Sequence, residues 1–257
     1  MPQMANLARR IVTELDLSEL HLGDLPQPIR MLDAGGGVAG PTKNLIFAAN
    51  GPKPQLVLRD AVSNDIEVVK NGEHCLIYEA AIPSEGLLFS KLVTWWRAEA
   101  SLPTQLSDHE AAINLHARLR ASLDSEAETV VFDTYATRYR TSFDVPALIP
   151  QVYLHYDPYD QRTRRAAAEG VPLARQRMDF LLLYSDRRRV IIEVDGKQHY
   201  AKDDRASPEL YGSMMAEDRR LRLAGYEVYR FGGAELFDAS SKSTVGRFFD
   251  DLAARMG

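Results

Sequence analysis

Hydrophobic residues recur along the second half of the chain in two rhythms. Ala111, Leu115, Leu119 and Leu123 share one stripe, which predicts a helix over residues 107–123. A second helix is predicted to start at Ser125, because Ser125-Glu126-Ala127-Glu128 fits the capping box S-x-x-E. Val131, Phe132 and Tyr135 continue its apolar face. Residues 151–156, 178–184, 190–194 and 226–231 read instead as strands. A polar helix is predicted over 208–224, closed by Gly225 in the usual C-terminal capping position. A last helix, 243–256, buries Val245, Phe248, Phe249 and Leu252. The predicted order from Ser125 onward is helix, three strands, helix, strand, helix, an α/β pattern.

The first hundred residues are mixed. Leu7, Ile11 and Leu15 repeat at helical spacing and predict a helix over 4–19. Asp33-Ala34-Gly35-Gly36-Gly37 reads as a turn or flexible loop. It lacks the G-x-x-x-x-G-K-[ST] spacing of a phosphate-binding loop, although Lys43 follows. Residues 55–58 and 75–78 are expected to be short buried strands, with a helix starting at 63–65. Trp95 and Trp96 close this part, and 98–105, punctuated by Pro103, is read as a linker. The expected organisation is therefore a small mixed α/β domain over 1–100, with a sensing or docking role, and a second domain over 106–257.

Composition narrows the class. An apolar fraction of 45% suits a globular chain, and no apolar run approaches the roughly 18 to 20 residues needed to span a bilayer. Arg9 and Arg10 interrupt the first segment, so it lacks the apolar stretch of a signal peptide, and a cytoplasmic, non-membrane protein is expected. Cys75, the single cysteine, excludes an intramolecular disulfide and a cysteine-based zinc site. The net charge of −5 argues against a wholly basic coat. Locally the balance reverses: Arg162, Arg164, Arg165, Arg175, Arg177, Arg187, Arg188 and Arg189 face only Glu169, Asp179 and Asp186 between residues 162 and 189. Such a stretch either tracks a phosphate backbone or is a solvated, arginine-rich loop. Arg219 and Arg222 share a helical face and carry the same two readings.

The chemistry concentrates where apolar strands carry acids. The strands at 178–184 and 190–194 are separated by residues 185–189 alone, so they are expected to pair as an antiparallel hairpin. With its centre near Asp186 or Arg187, Asp179 falls opposite Glu193 or Asp195. Glu193, Asp195 and Lys197 then project from one face. Facing residues sit about 5 Å apart. Carboxylates forced that close raise one another's pKa, and burial adds to the cost. A divalent cation removes both penalties, and Mg²⁺ favours a few carboxylates with waters and phosphate oxygens.

Asp179 followed by Glu193-Val194-Asp195-Gly196-Lys197 resembles the two-part signature of the PD-(D/E)XK nuclease superfamily. The longer stretches Met178-Asp179-Phe180-Leu181-Leu182 and Ile192-Glu193-Val194-Asp195-Gly196-Lys197-Gln198-His199-Tyr200 resemble its very-short-patch-repair-like and DUF559 branch. Asp218-Arg219-Arg220-Leu221 and Gly225-Tyr226-Glu227-Val228-Tyr229-Arg230-Phe231 are similar to that branch's next helix and strand. The resemblance covers residues 107–236 and implies a restriction-endonuclease-like mixed sheet flanked by helices. It further implies a Mg²⁺- or Mn²⁺-dependent endonuclease, with Asp179, Glu193 and the Val194 carbonyl as metal ligands and Glu128 as an acid from the first core helix. The motif lysine departs from the pattern, since Asp195 stands two residues after Glu193 and Lys197 two after Asp195. Either Asp195-Gly196-Lys197 is the D-x-K, or Glu193 is the ligand and the lysine role has moved. The second is favoured, because the branch reads E-x-D-G with a histidine soon after, here His199, a general acid or base. DNA is preferred to RNA as partner only through this resemblance.

Each residue also has a plainer reading: Glu128 as a helix cap, Asp195-Gly196 as a turn, Lys197 and His199 as surface groups. The N-terminal part faintly resembles AbiJ-type modules of bacterial abortive-infection proteins, through Gly51-Pro52-Lys53-Pro54, Leu58-Arg59-Asp60-Ala61, Asn64-Asp65-Ile66-Glu67 and Trp95-Trp96. That resemblance implies an antiviral defence setting; beside nucleic acid, a second copy of the chain or a defence-system protein is the expected partner. Two rivals stay open: an inactive nuclease fold that only binds nucleic acid, and an interaction or sensor protein acting through its N-terminal domain. A HEPN-type RNase is more distant, since no R-x₄₋₆-H pair sits suitably on a helix.

Overall fold

A computed structural model of the chain describes residues 45–52, 54–60, 65–154, 176–185, 187–202 and 205–256. The helix expected over 4–19, the glycine cluster at 33–37 and Arg162, Arg164, Arg165 and Arg175 lie outside the described residues. The chain divides between residues 36 and 37, and everything described belongs to the unit Gly37–Gly257.

Its centre is a mixed sheet of six strands, ordered β4–β1–β5–β6–β7–β10, where β1 is Leu45–Phe47, β4 Leu76–Tyr78, β5 Ile149–Leu154, β6 Gln176–Leu183, β7 Arg189–Asp195 and β10 Glu227–Gly232. All neighbours are antiparallel except β7 and β10. A parallel pair needs a crossover. Helix α4 (Pro208–Leu223) provides it, with Ser207 accepting the Leu210 N–H at its N-terminus and Pro208 in the first turn. A separate antiparallel pair joins β2 (Gln55–Asp60) and β3 (Asp65–Lys70), and a short one joins β8 (Ala201–Lys202) and β9 (Arg205–Ala206).

Met178, Phe180, Leu181, Leu182, Leu183, Val190, Ile191 and Ile192 are all buried, so β6 and β7 are covered on both faces. Among the described residues, four helices besides α4 pack around the sheet: α1 (Phe89–Glu99), α2 (Asp108–Arg120), α3 (Glu126–Arg138) and α5 (Ser241–Met256). Phe132 of α3 stacks on Phe180 at 6.3 Å, Tyr135 meets Phe249 of α5 at 4.7 Å, and Phe248 meets Phe231 of β10 at 5.0 Å. At the other end, Trp95 of α1 packs on Phe47 at 6.0 Å and Tyr78 at 5.5 Å. One continuous core runs through all of these elements. Gly86 fastens the connection before α1 to the end of β6: its φ is +85°, and a Cβ there would stand 2.0 Å from the Leu183 carbonyl oxygen. Only glycine tolerates that approach.

Several expectations need correction. The sheet crosses the boundary expected at residues 100–106, because β1 and β4 extend the edge of β5 and share its core. The helix expected to start at residues 63–65 gives way to strand β3, whose Ile66, Val68 and Val69 favour extended pairing with β2. The stretch ending in Trp95-Trp96 is helix α1, and its first turns bury Leu92, Val93 and Trp96 at spacing i, i+1, i+4. The helices and strands expected from residue 107 onward are all present, with ends displaced by at most three residues. No helix among the described residues is long and apolar enough to cross a membrane.

Candidate functional site

Ser185 sets the hairpin between β6 and β7, its hydroxyl accepting the N–H groups of Arg187 (3.2 Å) and Arg188 (2.8 Å). The register pairs Leu183 with Arg189 and Phe180 with Ile192, which sets Asp179 opposite Glu193. On the far side of β7, the parallel register sets Arg230 beside Glu193. On the other side of β6, Pro150 and Val152 pair with Phe180 and Met178, so Gln151 takes the place facing Asp179. Adjacent strands thus contribute Gln151, Asp179, Glu193 and Arg230 as one polar row flanked by apolar strand positions.

The row is electrostatically loaded. Asp179 is buried, and its Oδ2 accepts the Val194 N–H at 2.8 Å. Burial, with the charges of Glu128 and Asp195 nearby, pushes its carboxyl up to about 6 against the opposing pull of that hydrogen bond and of Arg177. Glu193 is raised well above the ordinary carboxylate range, by burial first and then by Asp179, Asp195 and Glu217, with Arg230 opposing. Two facing acids that each resist ionisation are what like charges in a desolvated place produce.

Glu128 enters from the first turn of α3. Ser125 caps that helix by accepting the Glu128 N–H at 3.1 Å, as the S-x-x-E spacing predicts. The Glu128 carboxylate is buried and accepts from Asp124 N (3.1 Å), Ser125 Oγ (3.0 Å) and Gln151 Nε2 (2.6 Å). It therefore caps its helix and borders the polar row at once. Asp195 receives a two-pronged bond from Arg230, at 2.8 Å from Nε and 2.7 Å from Nη2. His199 Nδ1 lies 3.9 Å from Asp195, and His199 is partly exposed. Lys197 opens the exposed turn after β7.

No family model, curated protein or solved structure matches the chain.

Among the described residues no group of three or more His, Cys, Asp and Glu is placed to hold a metal ion. The acids of the row thus offer two facing carboxylates, Asp179 and Glu193, while Asp195 is engaged by Arg230. Of the described arginines, Arg177 pairs with Asp124 at 2.5 Å, and Arg219 is exposed. Arg222 is bound to Asp218 at 2.8 Å and to the Val228 carbonyl at 2.9 Å, tying α4 to β10. A separate cleft of about 550 Å³ lies between α2 and α3, lined among others by Phe89, His116, Phe132 and Tyr139, and contains none of the polar row.

Sequence reasoning missed Gln151, Arg230 and Glu217. The signal for the first two was present: each is a polar residue inside a strand whose neighbours are apolar. Neither belongs to the acid motif, so strand pairing alone brings them to Asp179 and Glu193.

Proposed function

We propose that the chain is a divalent-metal-dependent nuclease on a restriction-endonuclease-like core, hydrolysing phosphodiester bonds, DNA before RNA. The observation that carries this reading is the facing of Asp179 and Glu193 across β6 and β7, with both carboxyls held above their ordinary range. The donor set suits Mg²⁺ or Mn²⁺, which commonly use one or two carboxylates and complete their shell with water and substrate oxygens. Asp179 and Glu193 would hold the ion, with the Val194 carbonyl as a third protein ligand. When bound, it supplies Lewis-acid stabilisation of the charge developing on phosphorus.

The chain's own groups do the rest. Arg230 holds Asp195 in place and tempers the negative charge of the row. His199, next to Asp195 and open to solvent, is suited to carry a proton to the leaving oxygen or from the attacking water. Lys197 orients the scissile phosphate from the exposed turn. Arg177, Arg219 and the arginines at 162, 164, 165 and 175 track the phosphate backbone. Arg222 serves the fold instead. Antiviral defence in a bacterial cytoplasm is the setting that the resemblances support.

One observation favours a second reading, a nucleic-acid-binding module without cleavage: Arg230 engages Asp195, so no free D-x-K unit stands in the row. Cleavage of plasmid and single-stranded DNA with Mg²⁺ or Mn²⁺, beside a Glu193→Ala variant, separates the two. Metal-dependent cutting that disappears in the variant is the expected result. DNA binding that is equal with Mg²⁺ and with EDTA, without cutting, sinks the enzyme reading.

A further inference from the structure

Gln151 is the least comfortable residue of the polar row. It is fully buried, and its φ of +52° lies in the left-handed region although it sits within strand β5. Non-glycine residues rarely adopt that conformation, and they keep it where surrounding structure imposes it, often at functional sites. Its carboxamide is only half satisfied. Nε2 donates to Glu128 Oε2 at 2.6 Å, whereas Oε1 is buried without a hydrogen-bond partner. The orientation of the amide is not arbitrary: an ionised carboxylate only accepts, so the NH₂ end must face Glu128. The oxygen is thereby turned away from Glu128, and the residue stands between Pro150 and Val152, whose partners Phe180 and Met178 flank Asp179.

A buried acceptor without a donor is a rarity that calls for a partner of positive character. The acids nearest in the strand register and across the Nε2 bond, Asp179 and Glu128, donate nothing in their ionised form. A hard cation accepts amide oxygens readily alongside carboxylates. We infer that Gln151 Oε1 is a neutral protein ligand for a divalent cation shared with Asp179 and Glu193, and that Glu128 acts as a positioning residue by fixing the amide through its NH₂ group. The inference rests on the metal-dependent reading above and adds a donor to it. It also gives Glu128 a role that requires no direct contact with the cation.

The test is Mn²⁺ binding to the purified full chain, read as loss of the free-ion electron paramagnetic resonance signal and as the rise in unfolding temperature that Mn²⁺ induces. The proteins are wild type, Glu193→Gln, Gln151→Leu and Gln151→Asn. Asparagine tolerates the left-handed conformation and keeps the fold, while its shorter side chain withdraws the oxygen. Binding is expected in the wild type and absent in Glu193→Gln. Both Gln151 variants should bind Mn²⁺ about tenfold more weakly or worse, the range set by loss of groups that support metal ligands. Wild-type affinity in both Gln151 variants, with binding still lost in Glu193→Gln, overturns this inference alone. A wild type that binds no Mn²⁺ overturns the metal-dependent reading together with it.

Discussion

The two ends of the central sheet are built on different principles. Around β1 and β4, Phe47, Tyr78 and Trp95 pack ring against ring at 5.5–6.0 Å, and burial there is almost wholly apolar. Around β6, β7 and β10, the apolar strands carry Gln151, Asp179, Glu193 and Arg230 in one row, with two carboxyls held above their ordinary range. The first end gains stability from every buried atom. The second gives some back, because charges taken out of water favour folding only when well paired. An arrangement that lowers stability within the sheet is expected where a ligand makes up the difference, and polar groups of this kind concentrate at sites of function.

Breaking the apolar end gives the largest effect. Phe47 is fully buried, and Phe47→Ala should cost about 3–5 kcal/mol, the usual range for deleting a core ring. The loss should be the same at pH 5 and pH 8, since the contacts removed are with Trp95 and other apolar neighbours. Urea unfolding at the two pH values measures this, and a pH-dependent loss would show that the two ends of the sheet are not independent.

The polar end responds in the opposite direction. Asp179 has a carboxyl raised in the folded protein, mainly by burial, to about 6, above the ordinary range it has in the unfolded chain. A group with that shift favours folding less and less as pH climbs from its unfolded pKa, about 3.9, through its folded one. Without metal, stability should therefore fall between about pH 4 and pH 6 and stay low above. Asp179→Asn removes the charge but keeps an oxygen for the Val194 N–H. It should stabilise the metal-free protein at pH 8 by about 1–3 kcal/mol and flatten its pH dependence, the amount following from the size of the shift. Unfolding temperatures from pH 4 to 8 in EDTA test it; a destabilised variant with unchanged pH dependence would mean that the acid is satisfied as it stands.

The difference between the two ends also explains what the sequence made legible. Period and capping placed the elements after residue 107, since long amphipathic helices and apolar strands carry strong local signals. The hairpin spacing placed Asp179 opposite Glu193, because a five-residue connection leaves little choice of register. Strand β1, only Leu45–Phe47, was too short to register as a strand, and its pairing with β4 and β5 is long-range. Trp95-Trp96 was legible as apolar but not as part of a helix, because the preceding Leu92-Val93 was not read with it. Gln151 and Arg230 escaped for the same reason as β1: their partners come from other strands, and a single strand's sequence holds no record of its neighbour.

Arg230 offers the finest cut through the row. It neutralises Asp195 through two bonds and also lowers the pKa of Glu193, although burial dominates there. Arg230→Gln keeps a donor for Asp195 and removes the charge. With the guanidinium gone, the folded pKa of Glu193 moves further above its unfolded value. The added penalty then appears only where Glu193 ionises in the folded wild type, well above the ordinary carboxylate range, and grows as pH rises beyond it. The expected cost in EDTA is about 1 kcal/mol at pH 8, in line with loss of a charge-assisted hydrogen bond, and smaller at pH 4, where Glu193 is protonated and only the bonds to Asp195 are lost. Mn²⁺ should recover part of it at pH 8, since a bound cation opposes the same negative charge that Arg230 does. Urea unfolding at pH 4 and 8, with and without Mn²⁺, reads all of these at once. A cost that is constant with pH would make Arg230 a strand-pairing residue whose charge plays no part, and would leave the two carboxyls as the whole of the electrostatic asymmetry between the ends of the sheet.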